Sequence, residues 1–255
     1  MAAANILGNL NQSVWDACEI IKYLTGRGWC RLKDISQDLN IEQAKAHRLL
    51  NTLAAHDFVQ CDADTRKYRL GLRFYTISYQ MSRDSIISTA KVFLEQAASN
   101  LLETVNMGML SQDNAKLIHV YRLEGKLPAD FNDVPLGVGR YINESALGKA
   151  ILAYLPFGQQ RSVMSRLSFT KYTDTSIVTL EDLQQDIAET VKRGYAIDNG
   201  EMSPACYCVA MPVFDSSDQV VAAVSISMQA KPQQNRMAEV LQVLRYTTKQ
   251  ISAHI

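Results

Sequence analysis

Four side chains suited to nucleic-acid recognition, Gln43, Lys45, His47 and Arg48, crowd the start of the stretch QAKAHRLLNTLAA, residues 43–55. At about 100° per residue, Ala46, Leu49, Leu50 and Leu53 share one side of a helix, the spacing of a core-facing stripe. Arg48 points away from that stripe, Lys45, His47 and Asn51 spread over the outer face, and Gln43 flanks it. In a major groove, Arg pairs bidentately with guanine and Gln with adenine. A polar outer face is also what any solvated helix carries, so the surrounding elements must decide.

A second group lies in GRYINESALGKA, residues 139–150. A helix opening at Ser145 leaves the first amides, among them those of Ala146 and Leu147, free for a carboxylate or phosphate. Arg140, just upstream, suits an acid by bidentate pairing. Ser145 serves equally as an ordinary N-cap, and Arg140 as a surface loop residue. Cys206 and Cys208, two apart in an expected strand, share a face at roughly 7 Å between Cα atoms, too far for an easy disulfide. His47, His56, His119 and His254 have no metal-ligand spacing, and neither a glycine-rich phosphate loop nor a Ser-His-Asp order is present. The expectation is no catalytic residue, no metal and no cofactor. A thiol reductase or an effector-free interaction module is the alternative.

The elements needed to position the first group follow in order. Ala17, Ile20, Ile21 and Leu24 predict a helix closed by TGRG, and LKDISQDLN predicts a short second helix carrying Leu32, Ile35 and Leu39. The third helix begins near Ile41. HDFVQCDADTRKYRLGL then alternates as strand, polar tip and strand, with Phe58 and Val59 on one arm and Tyr68 and Leu70 on the other. Three helices and a hairpin make a winged helix-turn-helix, in which Arg66 and Lys67 at the wing are phosphate or minor-groove candidates.

Helical spacing returns from Leu72 to about Met81 and again from Ile86 to Leu102. Strands are expected in VNMGMLSQ and KLIHVYRLE around the turn DNA, then a loose segment with Pro128, Pro135, Gly137 and Gly139, and helices in SALGKAILAYL and GQQRSVMSRL. Thr179 and Asp182 form a capping box for a helix ending at Gly194. CYCVAMPVFD and VVAAVSISM form a hairpin through SSDQ, and an amphipathic helix ends near Ile251. The class is α+β: a winged helix-turn-helix over 1–71, a linker helix over 72–84 and an antiparallel-sheet domain over 85–255.

The length of 255 residues suits two cores. Lys and Arg balance Asp and Glu at 26 each, but residues 1–83 hold 11 basic against 8 acidic side chains, leaving 15 against 18 beyond them. A mildly basic front permits a phosphate-binding head. No apolar run approaches 18 residues and no signal-peptide pattern opens the chain, so a cytoplasmic protein is expected. Five scattered cysteines make no disulfide framework.

HRLLNTLAAHDFV, KYRLGLR, ETVNMGML, SALGKAILA, RGYAIDNGE, CVAMPVFD and VVAAVSIS, in this order and spacing, resemble the IclR family of bacterial transcriptional regulators across nearly the whole chain. The resemblance implies effector-controlled binding to double-stranded operator DNA by a homodimer or dimer of dimers. It also implies a GAF-like second domain whose pocket is walled by the loop and first turn at Ser145, with Asp198 and Cys208 as the pocket aspartate and cysteine and Cys206 at a pocket position. The chain departs from the pattern at Ala44 and Lys45, where Ser-Thr is common, at Gly200 and Glu201, where a Glu pair is usual, at Ala205 after Pro204, and at Arg140, where Leu is usual. Arg140 for an acid and Asp198 accepting from a hydroxyl describe a hydroxy, sugar or aromatic carboxylic acid as effector.

Overall fold

The computed structural model describes residues 10–83, 85–111, 116–126 and 135–255, so the expected turn at 113–115 and Pro128 lie outside the described residues. The chain divides into two compact units, 1–84 and 85–255.

In the first unit, α1 (Gln12–Leu24) starts at Asn11, whose side chain accepts the Ser13 and Val14 amides. α2 (Leu32–Asp38) and α3 (Gln43–Ala55) follow. Ile20, Leu24, Ile35, Ala46, Leu50, Val59 and Tyr68 form the core of this unit, joined at its margin by Leu49 and Leu53, so the stripe on α3 faces inward. The wing is β2 (Val59–Cys61) against β3 (Lys67–Leu70), with Val59 opposite Leu70. A further strand, β1 (Cys30–Arg31), pairs with the other edge of β3 and gives the order β1-β3-β2. Two residues are too short for alternation to register, so β1 is absent from the sequence-based expectation. After the wing, α4 spans Arg73–Arg83.

The second unit is a six-stranded antiparallel sheet of order β6-β5-β4-β9-β8-β7 between two helical layers. Its strands are β4 (Thr104–Leu110), β5 (Lys116–Leu123), β6 (Gly139–Tyr141), β7 (Ala196–Asn199), β8 (Tyr207–Phe214) and β9 (Val220–Met228). β6 and β7, short edge strands, are likewise not anticipated. Val105, Met107, Val209, Met211, Val224 and Ile226 point to one face and pack with α5 (Ile86–Leu101) and the final helix α9 (Gln234–Ser252). Residues of opposite parity, among them Ala196, Ala210 and Ala223, face α6 (Ala146–Leu152) and α8 (Leu180–Arg193). α7 (Phe157–Met164) adds Val163 to that layer. Thr179 caps α8 through the Asp182 amide, and Gly194 ends it at φ 82°, as the capping box and glycine predict.

α6 sits tightly on the 3-10 turn Ile142–Glu144 that precedes it. A Cβ on Gly148 would lie 1.8 Å from the Ile142 carbonyl oxygen, a backbone atom with no freedom to swing aside. Gly148→Ala is therefore expected to cost the second unit about 1 to 3 kcal/mol of stability, the usual range for overpacking. Urea unfolding followed by circular dichroism measures it, and an unchanged midpoint would show that α6 backs away freely.

Candidate functional site

On α3 the buried Ala46 and Leu50 leave Gln43, His47, Arg48 and Asn51 exposed on the opposite side. Lys45 differs. Its ammonium lies 2.5 Å from Asp16, a buried carboxylate on α1 that also accepts from Gln12 at 2.7 Å. Those two donors hold the Asp16 carboxyl below its ordinary range, with Lys45 contributing most. Lys45 thus locks α3 onto α1 and meets a phosphate only by leaving that pair, a partner the outer-face reading did not foresee. The wing tip closes on Asp62, whose Oδ1 accepts both the amide and the hydroxyl of Thr65 at 2.7 Å. Arg66 is exposed beyond it with φ 54°, and Lys67 is half-buried opposite Arg31. Arg69 donates to Gln60 at 2.9 Å and lies 4.4 Å from the Trp29 ring, so it braces the wing.

In the second unit Ser145 is the N-cap of α6, its hydroxyl accepting the Gly148 amide at 3.2 Å, while Ala146 and Leu147 are buried. The ordinary cap reading of Ser145 therefore holds for its side chain. On the α6 side of the sheet, register sets Asp198 opposite Cys208 and Cys208 opposite Ser227. The row continues to β4, where the Asn106 amide donates to Ser227 at 3.2 Å and to Ser225 at 3.5 Å. Cys208 contacts the Ser227 hydroxyl at 3.1 Å. A polar strip so runs across four strands of an otherwise apolar sheet. Buried polar groups of this kind are kept only when paired or needed.

Cys206 corrects an expectation. It lies in the turn before β8, donating its amide to the Ser203 carbonyl at 2.9 Å, and its sulfur is 3.2 Å from that of Cys208. Strand alternation does not apply to it, so the two thiols touch. Asp198 accepts the Glu201 amide at 2.8 Å, which ties the 198–201 turn, and burial raises its carboxyl above the ordinary range.

The other end of the strip is cationic. Arg122 stands opposite Asn106 in the register of β5 on β4, and Arg140 stands opposite Leu117. His119, buried three residues before Arg122 on β5, is pushed down to about 4, first by burial and then by the charges of Arg122 and Arg140. Both guanidiniums therefore lie within electrostatic reach of one neutral imidazole. Arg140 Nη1 also reaches the Met202 sulfur at 3.9 Å, so the sheet curls until its β6 edge meets the turn after β7. Arg140 and Asp198 are legible in the sequence, whereas Arg122, His119, Asn106, Ser225 and Ser227 are not. Polar residues at alternate positions of apolar strands, such as the two serines of VVAAVSISM, are the signal that marks them.

Beside the strip, the wholly buried Lys149 of α6 lies 2.6 Å from Glu201 and 3.0 Å from Asp186. Thr173 and Thr175 donate to the Gly200 carbonyl at 2.7 and 2.9 Å, and Ser176 to that of Glu201 at 2.6 Å. The 200–201 turn is thus clamped from both sides. No group of three or more potential metal ligands occurs among the described residues, and no described helix is long and apolar enough to cross a membrane.

Residues 17–63 match the IclR helix-turn-helix domain, and residues 79–253 match the bacterial transcriptional regulator IclR C-terminal domain. The chain is 30% identical over 237 residues to the HTH-type transcriptional repressor AllR of Klebsiella pneumoniae, covering 91% of this chain and 86% of that protein. The crystal structure of the Thermotoga maritima IclR superposes with a TM-score of 0.78 at 25% identity, over 95% of this chain and 98% of that one. An IclR homologue of Microbacterium hydrocarbonoxydans, crystallised with 4-hydroxybenzoate, shares the fold at 18% identity with a TM-score of 0.81, over 94% of this chain and 98% of that one.

Proposed function

This chain belongs to the IclR family of bacterial transcriptional regulators, and from that premise we propose that it is a cytoplasmic regulator whose hold on a palindromic operator is set by a hydroxy, sugar or aromatic carboxylic acid. The observation that carries the effector class is the polarity of the strip in the second unit. Arg122 and Arg140 flank the neutral His119 at one end, and the Asp198 carboxyl, Cys208 and the two serines supply hydrogen-bonding groups at the other. A buried carboxylate needs cationic or amide partners, and a ligand hydroxyl needs an acceptor. Ser145, Ala146, Leu147 and Cys206 complete the proposed wall. That a homologue was crystallised with 4-hydroxybenzoate, a hydroxylated acid, supports this class.

A thermal-shift panel of hydroxy, sugar and aromatic acids, each beside its decarboxylated and deoxy analogues, tests the reading. An acid at 100 times its dissociation constant adds about 2.7 kcal/mol to stability. Decarboxylated analogues that stabilise the protein as well as the acids do would sink the assignment.

For DNA, the reading head offers Gln43, His47 and Arg48 to base edges and Arg66 and Lys67 to the backbone, with Lys45 reserved for Asp16 unless the complex breaks that pair. Arg48→Ala is expected to cost about 1 to 3 kcal/mol and to relax preference at one position per half-site, whereas Lys67→Ala weakens all sequences alike and flattens the salt dependence. Titrations of operator and random duplex at several salt concentrations separate these signatures. Equal losses on both duplexes for Arg48→Ala would remove it from base reading.

The linker helix supports assembly. Tyr75, Tyr79 and Met81 of α4 and Leu72 just before it are 68% to 74% exposed, a large apolar surface for a lone connector. Pairing of two chains there would hold two heads about one turn of DNA, roughly 34 Å, apart. Light scattering that finds a monomer still gripping a palindrome would contradict it.

A further inference from the structure

We infer that Cys206 and Cys208 are a peroxide-sensitive dithiol that closes reversibly to an intrachain disulfide at the edge of the polar strip. The five cysteines of the chain are all free, but only this pair has its sulfurs in contact, at 3.2 Å, among the described residues. Contact arises because Cys206 lies in the turn before β8, its amide donating to the Ser203 carbonyl, rather than in the alternating strand itself. The turn carries Pro204 before it and Gly200 at φ 77°, a backbone bent by its own sequence.

The two sulfurs have different surroundings. Cys208 sits between Cys206 and the Ser227 hydroxyl at 3.1 Å, and the neighbouring thiol, burial and the Asp198 carboxyl push it well up. Cys208 is therefore the poorer starting nucleophile and the better placed second partner. The Cys206 thiolate attacks one oxygen of hydrogen peroxide, the O–O bond breaks, and hydroxide leaves to become water with the thiol's proton. Cys208 then attacks the sulfenic sulfur; the S–S bond forms, the S–O bond breaks, and the departing hydroxide takes the Cys208 proton. Two thiols lose two electrons and one peroxide becomes two waters. Short-spaced disulfides are constrained and readily reduced, which is the property of a switch rather than a staple. Closure draws Cys208 away from Ser227. Its effect on ligand binding rests on the effector reading given above, whereas the disulfide itself does not.

The test uses the full chain, reduced, treated with hydrogen peroxide, alkylated and mapped by mass spectrometry. The expected product links Cys206 to Cys208, leaves Cys18, Cys30 and Cys61 alkylated, and returns to five alkylated thiols with dithiothreitol. Cys206→Ser, a change in an exposed-edge turn, should abolish the link without loss of fold. The inference is overturned if Cys206 passes to sulfinic acid with no link, if the exposed Cys18 reacts first, or if the urea-unfolded chain forms the link as fast as the folded one.

Discussion

Replacing Lys149 by Met is expected to destabilise the second unit by about 3 to 5 kcal/mol near pH 8, the cost of stranding buried charge, and by less near pH 5. Lys149 is wholly buried and stands between Glu201 at 2.6 Å and Asp186 at 3.0 Å. Arg193 offers Asp186 a second cation at 3.3 Å, but Glu201 has no other ion pair among the described residues. Burial pushes the Glu201 carboxyl from 4.5 up to about 7, against the opposing pull of Lys149.

The sign follows from proton counting. Between roughly pH 4.5 and 7 the folded chain keeps a proton on Glu201 that the unfolded chain has lost, so this group's contribution to stability falls as pH rises through that window. Without Lys149 the folded carboxyl ionises at still higher pH and the fall continues further. Protonation at low pH removes the stranded charge, and the deficit of Lys149→Met shrinks accordingly. Urea midpoints of parent and variant at both pH values measure the difference. A deficit that does not change with pH, or that widens on acidification, would show that Glu201 is not the group left exposed to the low dielectric.

This network marks where the sequence stops being legible. Lys149 reads there as one basic residue in a small-residue helix, and its partners lie 37 and 52 positions away. Nothing local predicts that α6 turns it inward between β7 and α8. The same holds for Lys45 and Asp16: the periodicity of α3 and α1 predicts the helices, yet the buried carboxylate of Asp16 breaks that apolar pattern. By contrast Leu49, Leu50 and Leu53, the Thr179 capping box and the Gly194 stop express forces acting within one or two turns, and these elements are legible to within a few residues. β1, β6 and β7 are two to four residues long and exist because a partner strand pairs with them. The effector strip is intermediate. Asp198 and Cys208 are marked by the family resemblance, while only the register of β5 on β4, including its irregularity at Met107 and Gly108, places Arg122 and His119 on the same face as Asn106.

That register leads to the prediction with the largest expected effect on ligand binding. Arg140→Leu and Arg122→Leu should each weaken the acid identified by the thermal-shift panel by about 2 to 5 kcal/mol, roughly 30-fold to several thousand-fold, since each strands part of a buried carboxylate's charge. The two need not be equal: Arg140 lies at the curled β6 edge beside Met202, and Arg122 within the sheet beside Asn106. Neither belongs to the reading head, so unliganded operator affinity should stay at the parent's value, which distinguishes a lost ligand contact from a damaged fold. Asp198→Asn should act differently. It keeps the acceptor oxygen that ties the Glu201 amide but removes the carboxylate, so hydroxylated acids should lose more affinity than their deoxy analogues. Calorimetry on the full chain, with each acid and its deoxy partner, reads all three variants. If both Arg variants bind the acid as tightly as the parent, the cationic end is structural, and the acid's carboxylate is held by the amides of α6 and the strip alone.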